Sequence, residues 1–395
     1  MRKNSAIILC LLQITIMLTN LTQIPDWVTN SGVKLLSYIP WIALTFLLLG
    51  VSKGKLVIGS QRYLYILVIG ILFVCAILEI LGSNGFGVAL LRPMLICMFI
   101  YTISMNLAQY INFSDLNHLL VTYILSAIIV AVFVYRTILA NGFSWTSRVY
   151  AYDAKNSVAQ IILTAVFFLI YLNGRKSRIW DIFIGIVTSV LIVELFMLKS
   201  RASLLGLAII FISVLVGKIY NKFTKRLVTI VVSIFFLFFI FEPEFRTFFI
   251  ESIVFAGRDS SNLNSISSGR MDMLIAFPQT FADKPILGYG RYYVECMQLD
   301  ALIETGILGG VLFNVMAIAP IVYAIKSYKY YKQPIDYLLM IVGVCYYVNG
   351  FFEQLAPFGP GVKCYFLWLL FGFSVTWRKR NIYENTLDYK YANNI

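Results

Sequence analysis

Four arginines supply the most legible chemistry in this 395-residue sequence: Arg148, Arg201, Arg270 and Arg291. A guanidinium is planar, stays charged at any physiological pH and presents a fork of N–H donors that matches two oxygens of one phosphate. Such groups suit the neutralisation of charge on a phosphate-bearing ligand or leaving group. Carboxylates stand near them in the chain, Asp153, Asp272, Glu295 and Asp300 among them. In a dry site a carboxylate can take the proton of a hydroxyl. Tyr292 and Tyr293 follow Arg291 directly and offer rings that could stack on a sugar. No Asp-x-Asp or paired-carboxylate metal motif lies in these segments, and the six cysteines contain no CxxC pair, so neither a metal nor a cofactor is expected. Gly288-Tyr289-Gly290 lacks the third glycine and the preceding strand of a nucleotide fingerprint. The single histidine, His118, belongs to a different face.

The elements that must position these residues are membrane helices. Hydrophobic residues make up 60% of the chain and charged residues 13%, where a soluble domain carries about 25% charged. Ile7 to Leu21, Leu64 to Leu81 and Leu227 to Phe241 are nearly free of charge. A hydrocarbon layer of roughly 30 Å takes about 20 helical residues. About a dozen spans are expected, near 5–24, 34–51, 63–81, 89–106, 118–139, 157–173, 179–197, 202–219, 227–241, 301–325, 336–352 and 362–377. The fold class is therefore an all-α integral membrane protein. Residues 1–395 form a single polytopic domain, with a large outer loop at 242–299 between the ninth and tenth spans. The N-terminal stretch begins Arg2-Lys3 but shows no small-x-small cleavage site, and reads as an uncleaved first span.

The net charge of +13 follows from topology. With the N-terminus inside, the short cytoplasmic loops and tails hold more than half of the 32 basic residues, as the positive-inside rule requires. Both termini then face the cytoplasm. The basic balance serves orientation and contact with membrane lipids, and no basic helix remains for nucleic acid.

Three outer segments are more than turns. One runs from about Asn141 to Asn156, and a second is the Lys199-Ser200-Arg201 corner. The third, from Glu242 to Leu299, opens with Phe245, Phe248, Phe249, Ile253 and Val254 at the spacing of a helix lying in the interface. A Ser/Asn-rich stretch follows, and Ser267-Ser268-Gly269 reads as the cap of a helix starting near Arg270. Arg92 lies in an apolar block before Pro93. A charge there costs about 2.5–3.5 kcal/mol at mid-membrane, so it either snorkels to the interface or lines a polar cavity. The absence of an internal repeat and of paired broken helices argues against a transporter.

These outer segments resemble the bacterial O-antigen polymerase and O-antigen ligase superfamily. Ser200-Arg201-Ala202-Ser203-Leu204-Leu205 is similar to its Ser-Arg-small-small-Leu stretch. Arg148 followed by Asp153-Ala154-Lys155-Asn156-Ser157-Val158-Ala159 resembles its Arg and Asp-Pro-Asn-x-x-Ala segment, with Lys155 in place of the proline. Ser268-Gly269-Arg270, Pro285-Ile286-Leu287-Gly288-Tyr289-Gly290 and Glu304-Thr305-Gly306-Ile307-Leu308-Gly309 are similar to its long-loop signature. The resemblance covers roughly Arg148 to Gly310. One departure stands out: where the superfamily, and its ligases in particular, often place a His-Asn pair, this chain has Glu295-Cys296. That favours a polymerase over a ligase.

The resemblance implies a glycosyltransferase at the periplasmic face of the bacterial inner membrane. A polymerase of this kind moves a growing polysaccharide from undecaprenyl diphosphate onto the next undecaprenyl-diphosphate-linked oligosaccharide, in lipopolysaccharide biosynthesis, and a chain-length-regulating membrane protein is a further partner to expect. On this reading Glu295, Arg270 and Arg201 are catalytic, and Arg148, Arg291, Arg92, Asn156 and Tyr292 bind substrate. Structural alternatives stand beside most of them: interface anchoring for Arg201, Arg92 and Tyr292, surface ion pairs for Arg148 and Arg270, a bland role for Arg291 and a solvated loop position for Glu295. The alternatives in function are a ligase that uses a lipid A core acceptor and, in a different class, a polysaccharide flippase.

Overall fold

The computed structural model describes residues 2–28, 30–35, 37–57, 61–146, 155–173, 178–258, 262–267, 269–359 and 364–392. Arg148 and Asp153 fall outside these residues. The described chain is all-helical. The first part runs through α1 (Arg2–Leu21), the short α2 (Pro25–Val28) and α3 (Ser31–Leu35), α4 (Ile39–Val51), α5 (Arg62–Ile80), α6 (Leu91–Leu107) and α7 (Leu116–Ala140). The centre holds α8 (Lys155–Leu172), α9 (Arg178–Met197), α10 (Arg201–Val216) and α11 (Lys222–Phe241). The outer segment contributes the short α12 (Pro243–Phe248), α13 (Leu263–Ser267) and α14 (Arg270–Asp283), and the chain closes with α15 (Met297–Tyr331), α16 (Pro334–Asn349) and α17 (Tyr365–Ala392).

Every expected span falls on a helix. By length and composition six helical segments among the described residues can cross a membrane, in α5, α7, α8, α9, α11 and α15, and five further apolar helices there are shorter. Two boundaries differ from expectation. The span expected over 34–51 is broken between α3 and α4, because Pro40 sits in the first turn of α4, where its missing N–H is harmless but continuation backwards is blocked. The span expected over 301–325 begins at Met297 and runs for 35 residues as two helical pieces that meet at Gly306, so the loop before it ends at Cys296. Its first turn carries Asp300, whose Oδ1 accepts the Val294 N–H at 2.8 Å. A carboxylate at that end complements the helix dipole.

Burial orders the helices. α8 is the central one, buried over 83% of its apolar window, while α11 is buried over 11% and lies at the periphery. Large rings fill the middle: Trp368, Tyr101, Tyr123, Phe168 and Phe366 are all fully buried. Polar side chains tie helices across the apolar interior, where such bonds contribute about 0.6–2 kcal/mol each. Asn20 Nδ2 donates to Ser126 Oγ at 2.8 Å, and the Tyr365 hydroxyl donates to Asn20 Oδ1 at 3.2 Å, joining α1, α7 and α17. Asp336 in α16 accepts from Ser327 of α15 and from Ser374 of α17.

The Phe-rich start of the outer segment is helical, as its spacing implies: α12 runs into a π-helical turn over Phe249–Val254. It folds against the end of α11, with Phe235 and Phe249 edge to face at 5.0 Å and Phe238 and Phe245 at 6.0 Å. This fixes the direction in which the chain leaves the bundle on its way to α14.

Candidate functional site

The helix ends that meet at one end of the bundle enclose a cavity of about 130 Å³. Lys155 and Asn156 open α8, Lys199 precedes α10 and Arg201 is its first residue, Arg270 opens α14, and Phe352 follows α16. Arg258 and Glu295 complete the lining from the outer segment. Five basic side chains and one carboxylate therefore surround a space the size of a few waters. Like charges are gathered here against their mutual repulsion, which marks a site shaped for an anion.

Each side chain is aimed by its local structure. Lys199 adopts a left-handed backbone (φ 49°) in the corner between α9 and α10, and Nζ donates to the Trp145 and Ser144 carbonyls at 2.6 and 3.2 Å. Burial pushes its ammonium below the usual lysine range. Arg270 is held by a capped helix start: Ser267 Oγ accepts the Met271 N–H at 3.0 Å, the role its position in the sequence suggests. Arg270 Nη2 meets Glu295 Oε2 at 2.6 Å and the Phe352 carbonyl at 2.8 Å. Its guanidinium lies 5.8 Å from the Phe352 ring centre. Arg270 Nε is buried with no acceptor among the described residues, a donor that the protein itself leaves unsatisfied.

Glu295 is engaged at both oxygens. Oε2 takes Arg270, and Oε1 accepts the Tyr293 hydroxyl at 3.2 Å. Partial burial first, then the Glu295 charge, push the Tyr293 phenol up to about 12, so it remains a donor at neutral pH. Across the cavity Asn156 Nδ2 donates to Glu353 Oε1, pinning the start of α8 to the chain after α16.

A buried scaffold presents the Glu295 loop. Glu304, fully buried in α15, accepts the Ala89 N–H at 3.0 and 3.1 Å and the Tyr292 N–H at 3.1 Å. Asp300 Oδ2 accepts from Gln354 at 3.0 Å. The Tyr289 and Gly290 N–H groups donate to the Ile303 and Glu304 carbonyls at 2.9 and 2.8 Å. Gly306, with φ 61° and ψ −166°, is a break inside α15 at which its second, long helical piece starts. Gly290 has φ 79°, and a Cβ there would stand 1.5 Å from the Ser83 carbonyl oxygen. Gly290→Ala is therefore expected to cost about 1–3 kcal/mol in backbone strain alone and to lower both the melting temperature of the purified protein and its accumulation in the membrane.

Of the residues singled out from sequence, Arg201, Arg270, Glu295 and Asn156 line one cavity. Arg291 and Tyr292 lie exposed on the neighbouring loop, Tyr292 with its ring 5.7 Å from that of Tyr289. Arg92 is exposed at the start of α6. None of these three lines the cavity. Lys199, Arg258, Phe352 and Glu353 were not legible as site residues. The first two stand in outer segments that sequence does flag, whereas nothing in the chain distinguishes the pair after α16 from the end of a span. Asp272, a candidate carboxylate, is bonded to Asn264, away from the lining.

No curated protein matches the chain. Residues 186–299 match the Wzy_C family model, described as O-antigen ligase. That stretch carries Lys199, Arg201, Arg258, Arg270 and Glu295, and the match falls on the segment whose motifs already carried the resemblance, which supports membership in the O-antigen polymerase and ligase superfamily.

Proposed function

We propose that the protein is an O-antigen polymerase working at the periplasmic end of the bundle. It joins lipid-linked repeat units by moving the growing polysaccharide from undecaprenyl diphosphate onto the next one. The observation that carries the reading is the cavity of five basic side chains with Glu295 ion-paired to Arg270. A hydroxyl oxygen of the acceptor sugar forms a bond to the donor's anomeric carbon. The bond from that carbon to the diphosphate breaks, and the diphosphate leaves with the electron pair. Arg201, Arg270 and Lys199 meet the charge that grows on it. One unit charge pair at about 4 Å is worth about 4 kcal/mol at an effective dielectric of about 20, so two or three such contacts are a large part of a catalytic barrier.

The proton of the acceptor hydroxyl goes to Glu295. In the structure Arg270 engages that carboxylate through Oε2. A bound diphosphate competes for the same guanidinium and takes up its unsatisfied Nε–H, which frees Glu295 Oε2 for the hydroxyl. Charge binding and base release are in this way one event. Arg148, in the segment before α8, is retained as a further phosphate contact, and Tyr292 and Arg291 as sugar contacts at the rim. Arg92 belongs to the path of the lipid.

Ligase activity is the second reading, favoured by the description of the matching family model. Glu295-Cys296, at the positions where the ligases often have His-Asn, supports the polymerase. The lipopolysaccharide of a strain lacking the gene separates them on a gel. Core carrying a single repeat unit is expected. Bare core with polymer retained on the carrier lipid would make the protein a ligase, and loss of all surface repeat units would point to a flippase.

A further inference from the structure

At the opposite end of the bundle a second, apolar depression runs between α5 and α15, with a volume of about 570 Å³. Its floor is one stripe of α15: Val315, Ile318, Ala319 and Val322 recur at three- and four-residue spacing, and Lys326 ends the same stripe. From Val315 to Lys326 the helix rises roughly 16 Å. Tyr63 of α5 forms a wall, and Arg378 of α17 stands at the mouth beside Lys326. Val315, Val322 and Tyr63 are 46%, 41% and 40% exposed, so the stripe is open along its length.

The cations at the mouth are placed rather than loose. The Arg378 guanidinium lies 4.6 Å from the centre of the Tyr331 ring and 5.7 Å from that of Tyr323, and Nη2 donates to the Tyr331 hydroxyl at 3.3 Å. Among the described residues neither Arg378 nor Lys326 forms an ion pair. The guanidinium is oriented on two rings, and the buried Asp336, whose charge it feels, accepts from Ser327 and Ser374 and forms no ion pair with it among the described residues. The walls decide what kind of molecule brings an anion. α5 and α15 are both long and apolar enough to cross a membrane, so the depression opens into the acyl layer, and its occupant enters from there with an apolar chain and an anionic head.

We propose that this groove binds an anionic glycerophospholipid, with its phosphate on Lys326 and Arg378 and an acyl chain along Val315, Ala319 and Val322. The site is separate from the cationic cavity, and it stands whether or not that cavity is catalytic. The molecule contains its own comparison. A larger depression of about 920 Å³ between α9 and α11 is lined, among the described residues, mostly by apolar side chains, with Asn173, Asp181, Thr188, Ser189 and Thr224 and no basic one. It offers room for a hydrocarbon chain, and none of its described lining residues brings a cation to an anionic head.

The test is native mass spectrometry of the purified full-length protein titrated with phosphatidylglycerol or with phosphatidylcholine of the same chains. The parent is expected to retain one phosphatidylglycerol more tightly than phosphatidylcholine. Lys326→Gln with Arg378→Gln should weaken that lipid about tenfold or more and leave phosphatidylcholine unchanged. Val322→Trp, at an exposed position that does not disturb the core, should fill the groove and weaken the same lipid with both cations intact. Equal retention of the two lipids by the parent would overturn the proposal, as would unchanged phosphatidylglycerol binding in both variants. So would a retained lipid that phosphatidylglycerol cannot displace but an isoprenoid phosphate can.

Discussion

Arg270→Ala should stop polymer growth almost entirely, by about 10²–10³-fold in transfer rate, the scale observed when one donor to a developing negative charge is removed. The protein should still accumulate in the membrane. Arg270 is the node of the cavity: it holds Glu295 at 2.6 Å, the Phe352 carbonyl at 2.8 Å and the Ser267 carbonyl at 3.3 Å. Its side chain is 17% exposed, while that of Glu295 is 37% exposed. Truncation therefore leaves a carboxylate that water can reach, and the helix start survives because its cap is Ser267. Arg270→Lys should rescue poorly. An ammonium carries the charge but lacks the planar fork that spans Glu295 and two carbonyls at once. Arg201→Ala, at the start of α10 on the other wall, should fail in the same way. The readout is the lipopolysaccharide ladder beside an immunoblot of the membrane fraction. Full-length polymer from Arg270→Ala at parental protein levels would remove Arg270 from the chemistry.

Glu295→Gln should be nearly as damaging, by about 10²–10⁴-fold, the range that a positioned general base supplies. Glutamine keeps the shape, the bond from Tyr293 and much of the hydrogen bonding, but it takes no proton. Glu295→Asp keeps the carboxylate and shortens its reach by one methylene, so a partial loss is expected. The opposite ranking, a mild glutamine variant and an equal or worse aspartate, would mean that Glu295 only positions the sugar and Arg270. Parental rates in both variants would exclude it from the site. The buried carboxylates of α15 are poor substitutes, because Asp300 and Glu304 already accept backbone N–H groups and line no part of the cavity.

The membrane helices were legible because hydrocarbon imposes a length and a composition, and both are written locally along the chain. Their ends were less so. Pro40 moves the start of α4, and Asp300 lets α15 begin before the Glu304-Thr305-Gly306 motif, which is an interior break. The cavity was legible where one continuous stretch carries it: the Ser200-Arg201 corner, Arg270 and Glu295. What sequence hides is the meeting of distant helix ends. Asn156 and Glu353 bond across 197 residues of chain, and Phe352 reaches Arg270 across 82. Neither Phe352 nor Glu353 bears a motif. Lys155 occupies a position inside a recognised segment, yet only the fold brings it to Arg201, Arg258 and Arg270. The Gly-Tyr-Gly loop, part of the long-loop signature in sequence, is scaffold in space, docked on the backbone of Ile303 and Glu304.

Purified protein reconstituted with chemically defined undecaprenyl-diphosphate-linked repeat units tests the central claim most directly. The account predicts a ladder of lipid-linked products, each longer by one repeat unit, with one undecaprenyl diphosphate released per step and no ladder from Arg270→Ala. Unchanged repeat units in that mixture, together with transfer of preformed polymer once lipid A core is added, would contradict it and assign the cavity to a ligase.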